Sequence, residues 1–198
     1  MDKRRLEAFS DGVLAIIITI MVLEIKLPHG NSDFNSLIPL LPIFLSYILS
    51  FIYIGIYWNN HHHMLHGTAK ISGSILWANL HLLFWLSLVP FVTAWMGENH
   101  FAPNTLALYG VILLMAAVAY IILQHFIIAT NGKDSLISNA VGKDLKGKIS
   151  MVMYLLAIPL SFITPLVTGA LYVFVALLWL VPDRRIETYY SKQHSFLN

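Results

Sequence analysis

The run LALYGVILLMAAVAYIILQHFII at residues 106–128 contains no Asp, Glu, Lys or Arg. A helix needs about 20 mostly apolar residues to cross a bilayer core about 30 Å thick, so this run is long enough to cross once. Two further uncharged runs of comparable length occupy residues 37–58 and 71–95. The sequence therefore predicts an integral membrane protein built from helices.

The composition of the whole chain supports this class of protein. Of its 198 residues, 58% are hydrophobic and 11% are charged, whereas soluble domains average roughly 45–50% and about 25%. The chain contains no cysteine, which excludes disulfide scaffolds and thiolate metal sites. Its formal net charge is only +2, and this argues against nucleic acid as a partner.

The apolar run from residue 149 to residue 182 is long for one span and short for two. Positive residues flank it on both sides: Lys133, Lys143, Lys146 and Lys148 precede it, and Arg184, Arg185 and Lys192 follow it. Positive loops belong on the cytoplasmic side, so the run should cross an even number of times. We therefore expect two short helices that turn near Thr164 and Pro165, because the residue before a proline avoids helical geometry.

With an N-terminal span, the sequence predicts an all-α, polytopic protein of six transmembrane helices with no pore loop and with both termini cytoplasmic. The six spans form a single domain over residues 1–198. We place them at about residues 9–27, 37–58, 71–95, 105–129, 149–164 and 166–182.

The first span is unusually short. Only twelve uncharged residues separate Asp11 from Glu24, which is roughly 18 Å of helix. Charged groups at membrane depth are costly unless they meet protein partners or water. We therefore expect this helix to border an aqueous path rather than to face lipid along its whole length.

Helical spacing groups several residues of the first span on one stripe. Steps of three or four residues connect Phe9, Gly12, Ile16, Ile20 and Leu23. Thr19 lies at the edge of the stripe and could offer its hydroxyl to a passing cation. Apolar constrictions do gate channels by dewetting, but an equally simple interpretation is that Ile16, Ile20 and Leu23 pack in the protein core.

A histidine-rich segment, Asn59-Asn60-His61-His62-His63-Met64-Leu65-His66, ends the second span. His62 and His66 have the i, i+4 spacing that places two metal ligands on one helix face. With His81 or His125, they suggest an alternative function as a histidine-based membrane metal or haem oxidoreductase. The structural interpretation is that some of these histidines and asparagines hydrogen-bond Ser10 and Asp11. No hydrolase or phosphate-binding motif is present, so our first expectation is no enzyme and no cofactor.

The segment Arg5-Leu6-Glu7-Ala8-Phe9-Ser10-Asp11 carries an Arg-x-x-x-Phe-Ser-Asp signature. This signature resembles that of the transmembrane protein 175 family, the lysosomal and bacterial potassium channels. The likeness continues through a series of further positions, namely Gly12, Ala15, Ile16, Thr19, Leu23-Glu24-Ile25-Lys26, Pro28, Trp58, Trp77, Asn79 and Pro90.

The resemblance implies a potassium-selective channel in the cell membrane, a homotetramer whose first helices surround the conduction path. By position, the family's apolar constriction and threonine layer correspond to Ile16, Ile20, Leu23 and Thr19. The signature residues would bind the first helix to the second and third helices. Their candidate partners are Asn60, His61, His62, Trp77 and Asn79. We expect the external Glu24, Asp33 and Glu98 to concentrate cations at the outer mouth.

Overall fold

The computed structural model describes residues 2–26, 33–132 and 144–180, and within these ranges every regular element is helical. The predicted all-α class is therefore confirmed. Two predicted span limits, at residues 27 and 182, lie outside the described residues. So do several of the positive residues that set the expected orientation, namely Lys133, Lys143, Arg184, Arg185 and Lys192.

Seven α-helices and one short 3-10 helix make up the described part of the chain. The α-helices are α1 (Lys3–Leu23), α2 (Leu41–His66), α3 (Gly73–Ser87), α4 (Val89–Glu98), α5 (Pro103–Asn131), α6 (Leu145–Leu160) and α7 (Pro165–Leu180). The 3-10 helix, Phe34–Leu40, leads directly into α2.

Side-chain caps set where several of these helices begin. The Asp2 carboxylate accepts a hydrogen bond from the Arg4 amide at 3.0 Å, so α1 begins well before the predicted residue 9. The Asp144 carboxylate accepts from the Gly147 amide at 3.2 Å and opens α6. Such caps satisfy amide groups that have no partner within the helix.

The predicted third span, residues 71–95, corresponds to two helices rather than one. α3 ends at Ser87 and α4 begins at Val89, with Leu88 between them. Pro90 has no amide proton and cannot continue the hydrogen-bonding pattern of α3, which accounts for the interruption. Together the two helices form one apolar stretch, Gly73–Glu98, that is long enough to cross a membrane.

Three other stretches are long and apolar enough to cross: Lys3–Leu23, Phe34–His66 and Pro103–Asn131. α6 and α7 are shorter, with 16 residues each, or about 24 Å of helix. They form a hairpin, and the turn between them occupies residues 161–164, immediately before Pro165.

The helices pack around α5, which contacts α3, α4, α6 and α7. α1 lies at one side of the bundle against α2, α3 and α4. It buries Leu6, Leu14, Ile17 and Met21 there. These positions follow one another by three, four or eight residues, so α1 buries a single stripe.

Buried hydroxyl groups connect the other half of the bundle. The Tyr53 hydroxyl donates to the Tyr172 carbonyl at 2.7 Å, and the Tyr172 hydroxyl donates to the Leu106 carbonyl at 2.9 Å. The hydroxyl groups of Thr93 and Ser50 are hydrogen-bonded at 2.6 Å. No buried polar side-chain atom of the described residues is without a hydrogen-bond partner. Interhelical hydrogen bonds of this kind hold membrane helices together where lipid supplies no hydrophobic force between them.

At Gly97, α4 packs closely against the start of α2. A methyl group added at Gly97 would lie 2.7 Å from the Ile43 Cα and 2.6 Å from the Ser46 Oγ. The Ile43 Cα is a backbone atom and cannot rotate away from an added methyl group. The absence of a side chain at Gly97 is therefore required for this helix crossing.

We expect Gly97→Ala to separate α2 from α4 and to lower the free energy of unfolding by about 1–3 kcal/mol, as overpacking typically does. The thermal midpoint of the detergent-solubilised protein measures the effect. Gly55→Ala in α2 is the matched control, because a methyl group at Gly55 meets nothing within 4 Å. Equal midpoints for the two variants would contradict the close crossing.

Candidate functional site

The stripe on α1 that the sequence singles out is exposed in the single chain. Ile16 is 59% exposed and Leu23 is 77% exposed, whereas Leu14 and Ile17 on the opposite side are 2% and 3% exposed. Phe9, Gly12 and Ile20 are also exposed. The stripe residues therefore do not belong to the core of this chain.

Thr19 lies on the same exposed side of α1. Its hydroxyl donates to the Ile16 carbonyl at 2.9 Å, one turn back along the helix. Because the only proton of the hydroxyl is used in this bond, its oxygen lone pairs are left to face outward. A hydroxyl oxygen held in this way can accept a hydrogen bond from water or lie against a cation.

An open groove of about 600 Å³ lies between α1 and α4. Its walls are mainly apolar and include Ile16, Ile20, Phe91 and Trp95. Two residues of the exposed stripe, Ile16 and Ile20, thus form one wall of the groove. Another helix or lipid could fill it. Groove and stripe together leave an apolar flank of the molecule uncovered.

Three charged residues lie at one end of the groove: Glu24, Lys26 and Glu98. The Lys26 Nζ is 3.7 Å from the Glu98 Oε1, so this pair is partly neutralised. Glu24 is exposed beyond the last turn of α1. Asp33 does not line the groove; it caps the 3-10 helix and accepts from the Asn35 amide at 3.3 Å.

The N-terminal half of α1 is joined to α2 and α3 by a buried polar network. The Asn79 side-chain amide donates to the Ser10 Oγ at 2.9 Å. The Asn79 oxygen lies 2.7 Å from the His61 Nε2, which donates to it. Ser10 in turn donates to the Leu6 carbonyl at 2.9 Å. All three side chains are at most 2% exposed.

Asp11 is joined to α2 by a residue that the sequence did not single out as its partner. The indole of Trp58 donates to the Asp11 Oδ1 at 3.0 Å. His62 stacks on Trp58 with ring centroids 6.0 Å apart, and His66 stacks on His62 at 6.1 Å. In the sequence, Trp58 lies one helical turn before the histidine cluster, at the membrane depth expected for Asp11. This position could have identified Trp58 as a candidate partner of Asp11.

The other predicted members of the network lie elsewhere. Asn60 donates to the Ile56 carbonyl of its own helix at 2.8 Å, and Trp77 is 75% exposed. Phe9 is exposed, and within the described ranges the Arg5 side chain has no hydrogen-bond or ion-pair partner. The signature residues that the structure brings together with partners are therefore Ser10 and Asp11.

The histidines do not converge on a metal site in the described part of the chain, where no group of three His, Asp or Glu side chains is placed to hold an ion. The His81 Nε2 accepts a hydrogen bond from Trp85 at 2.9 Å. His125 is exposed beside Phe126, at a ring distance of 5.8 Å. The geometry thus gives the oxidoreductase alternative no support.

We expect Asn79→Ala to lower the free energy of unfolding by about 1–3 kcal/mol, because it leaves the buried His61 Nε2 without an acceptor. Ser10→Ala removes the acceptor of the Asn79 amide. Residues in direct contact couple by about 0.5–3 kcal/mol, so the double variant should be less destabilised than the sum of the singles. Thermal midpoints in detergent measure the cycle.

Asn60→Ala is the control for this cycle, since its amide bonds only within α2. Asn60→Ala should lower the free energy of unfolding by less than Asn79→Ala does. Its effect should add independently to that of Ser10→Ala. Strict additivity of Ser10→Ala and Asn79→Ala would contradict the network.

The sequence and the structure of this chain are similar to those of known proteins from one family. The family model described as endosomal/lysosomal potassium channel TMEM175 matches residues 5–90, which include most of α1 and the residues of the polar network. The protein named Potassium channel HX13_20290 from Chryseobacterium sp. (strain P1-3) is 58% identical over 187 residues, covering 94% of this chain and 97% of that protein.

A solved structure is similar along nearly the whole chain. It is the crystal structure of a lysosomal potassium-selective channel TMEM175 homolog from Chamaesiphon minutus, with a TM-score of 0.80 and 30% identity. The match covers 91% of this chain and 97% of that one. The human endosomal/lysosomal proton channel TMEM175 is 37% identical over 73 residues, or 31% of this chain. The chain belongs to the TMEM175 family.

Proposed function

We propose that this chain forms a potassium-selective cation channel in which the exposed stripe of α1 lines the conduction path. The observation that carries the proposal is the exposure of Ile16, Ile20 and Leu23 on the helix that bears the family signature. We take potassium as the conducted ion because the Chryseobacterium and Chamaesiphon relatives are both described as potassium channels.

One chain does not enclose a path along α1, because the stripe lies on the outer flank of its own bundle. We infer that four copies assemble into a homotetramer, the number that the family resemblance implies. Each α1 would then turn its stripe toward a common axis. Phe91 and Trp95, on the α4 side of the groove, offer the neighbouring copy an apolar surface to pack against.

In this assembly the apolar side chains would form the narrow part of the path. Rings of Ile16, Ile20 and Leu23 would exclude most hydrated ions, since an apolar constriction favours a dewetted state. Thr19 would contribute a ring of oxygen atoms whose lone pairs face the ion, because its hydroxyl proton is donated to the backbone. Four such oxygens could replace part of the hydration shell of potassium and favour it over other cations.

The outer mouth would attract cations through Glu24 and Asp33. Carboxylates around an entrance raise the local cation concentration by long-range attraction that salt screens. Glu98 would contribute less because Lys26 lies beside it.

The polar network would fix the rotation of α1 about its own axis. Ser10 is held by Asn79 of α3 and Asp11 by Trp58 of α2, so the opposite side of α1 is presented to the axis. We propose that the helices form one six-span domain in the cell membrane, with both termini cytoplasmic. The conducting unit then needs the lipid bilayer, potassium and three further copies, but no nucleic acid.

We expect Ile16→Asn to increase cation flux and to erode the preference for potassium over sodium, because a polar ring stabilises water in the constriction. Liposomes loaded with potassium or sodium and containing the purified protein measure both quantities. The predicted change is at least about tenfold, the effect of lowering a barrier by roughly 1.4 kcal/mol.

Ile48→Asn is the matched control, since Ile48 is an exposed isoleucine on α2, outside the stripe and the groove. It should leave flux and selectivity unchanged. If Ile16→Asn behaves like Ile48→Asn in folded protein, Ile16 does not line the path. If the unmodified protein carries neither ion, the chain is not a cation channel.

A further inference from the structure

A second cavity lies away from α1, between α2, α5, α6 and α7. It measures about 40 Å³ and is partly open. On this measure the cavity has room for about three to four water-sized groups. Its lining contains five aromatic side chains, namely Tyr53, Tyr57, Tyr120, Tyr154 and Trp179.

The aromatic walls of the cavity are held in place before any ligand binds. The Trp179 indole donates to the Ser150 Oγ at 2.8 Å, and the Tyr53 hydroxyl donates to the Tyr172 carbonyl at 2.7 Å. Tyr57 and Tyr120 pack edge to face with ring centroids 6.1 Å apart. A preorganised site loses little conformational entropy when it is filled.

Negative charge lies at one end of the same cavity. Among the lining residues that the structure describes, Asp144 is the one carboxylate, beside the polar Asn60 and Ser150. Along α6 the lining continues through Gly147, Ser150 and Tyr154, so Asp144 is at the end where α6 begins. The cavity thus combines ring faces, which carry partial negative charge, with one full negative charge.

The chain already places a cation against one of these rings. The Lys146 Nζ lies 6.0 Å from the centre of the Trp179 ring. An ammonium group within about 6 Å of a ring centre is attracted by the ring quadrupole, and the attraction grows where water is excluded. Trp179 therefore presents a face that accepts a cation in this environment.

We propose that this cavity is a binding site for a small organic ammonium ion, held by the aromatic walls and by Asp144. Alkylated ammonium ions suit it better than potassium, because their methyl groups fill the apolar space and they give up little hydration. Tetramethylammonium, with four methyl groups around its nitrogen, is larger than the enclosed 40 Å³, so part of the ion would extend into the open side of the cavity. The site is separate from the α1 stripe and does not rest on the proposed channel function.

Calorimetric titration of the purified full-length protein with tetramethylammonium tests the proposal. Potassium chloride is present throughout, so that sites along the proposed conduction path are occupied by potassium. We expect saturable binding of one ion per chain and no binding of tert-butanol, a neutral molecule of the same number of heavy atoms. Equal binding of the two molecules would overturn the proposal, as would the absence of binding.

Four variants locate the site. Tyr57→Leu should weaken binding at least about tenfold through loss of a ring face, while Tyr47→Leu on the same helix, outside the lining, should not. Asp144→Asn should also weaken binding, and its amide oxygen can still cap α6. Lys146→Gln should strengthen binding by removing a competing cation from Trp179. Binding that none of the cavity variants alters would place the ion elsewhere and contradict the assignment.

Discussion

The side chain of Asn79 is bonded on both sides, to Ser10 of α1 and to His61 of α2. All three groups are buried, so each would carry a desolvation cost if its partner moved away. This arrangement fixes both the depth and the rotation of α1 against α2 and α3. The buried apolar residues of α1 agree with the same rotation; they are Leu6, Leu14, Ile17 and Met21. Apolar contacts tolerate small shifts of the helix, whereas hydrogen bonds at 2.7–2.9 Å do not.

This constraint determines what α1 presents on its other side. With Ser10 turned inward, Ile16, Ile20 and Leu23 face away from the bundle. An exposed apolar stripe on a helix with charged residues in its N-terminal half is poorly suited to lipid along its full length. The proposed tetramer resolves the conflict by surrounding a narrow aqueous path with four such stripes. Permeation, in this account, depends on a polar network about two helical turns away from the constriction.

Much of this arrangement could be predicted from the sequence. Uncharged runs such as 106–128 predict helices because length and apolarity are sufficient criteria for a membrane span. The stripe of α1 follows from helical periodicity, and the signature at Arg5 to Asp11 leads to the family. The interruption at Leu88 is less visible, since Pro90 allows either a kinked helix or two helices. The partner of Asp11 could not be chosen from sequence because Trp58, Asn60 and His62 share one helix end, and only packing decides which one points at α1. The cavity beside Tyr57 was not foreseen, because it is assembled from four helices with no common motif.

The central claim is that the exposed side of α1 faces water rather than lipid or a neighbouring apolar surface. Because the chain has no cysteine, single cysteines can be introduced without other changes. A charged, water-soluble thiol reagent would be applied to Thr19→Cys and Leu23→Cys in proteoliposomes. The control is Ile48→Cys, at an exposed position of α2 outside the stripe and the groove. We expect the reagent to modify both α1 cysteines and to alter potassium flux, while Ile48→Cys does not react. Protection of Thr19→Cys and Leu23→Cys to the same extent as Ile48→Cys would contradict it.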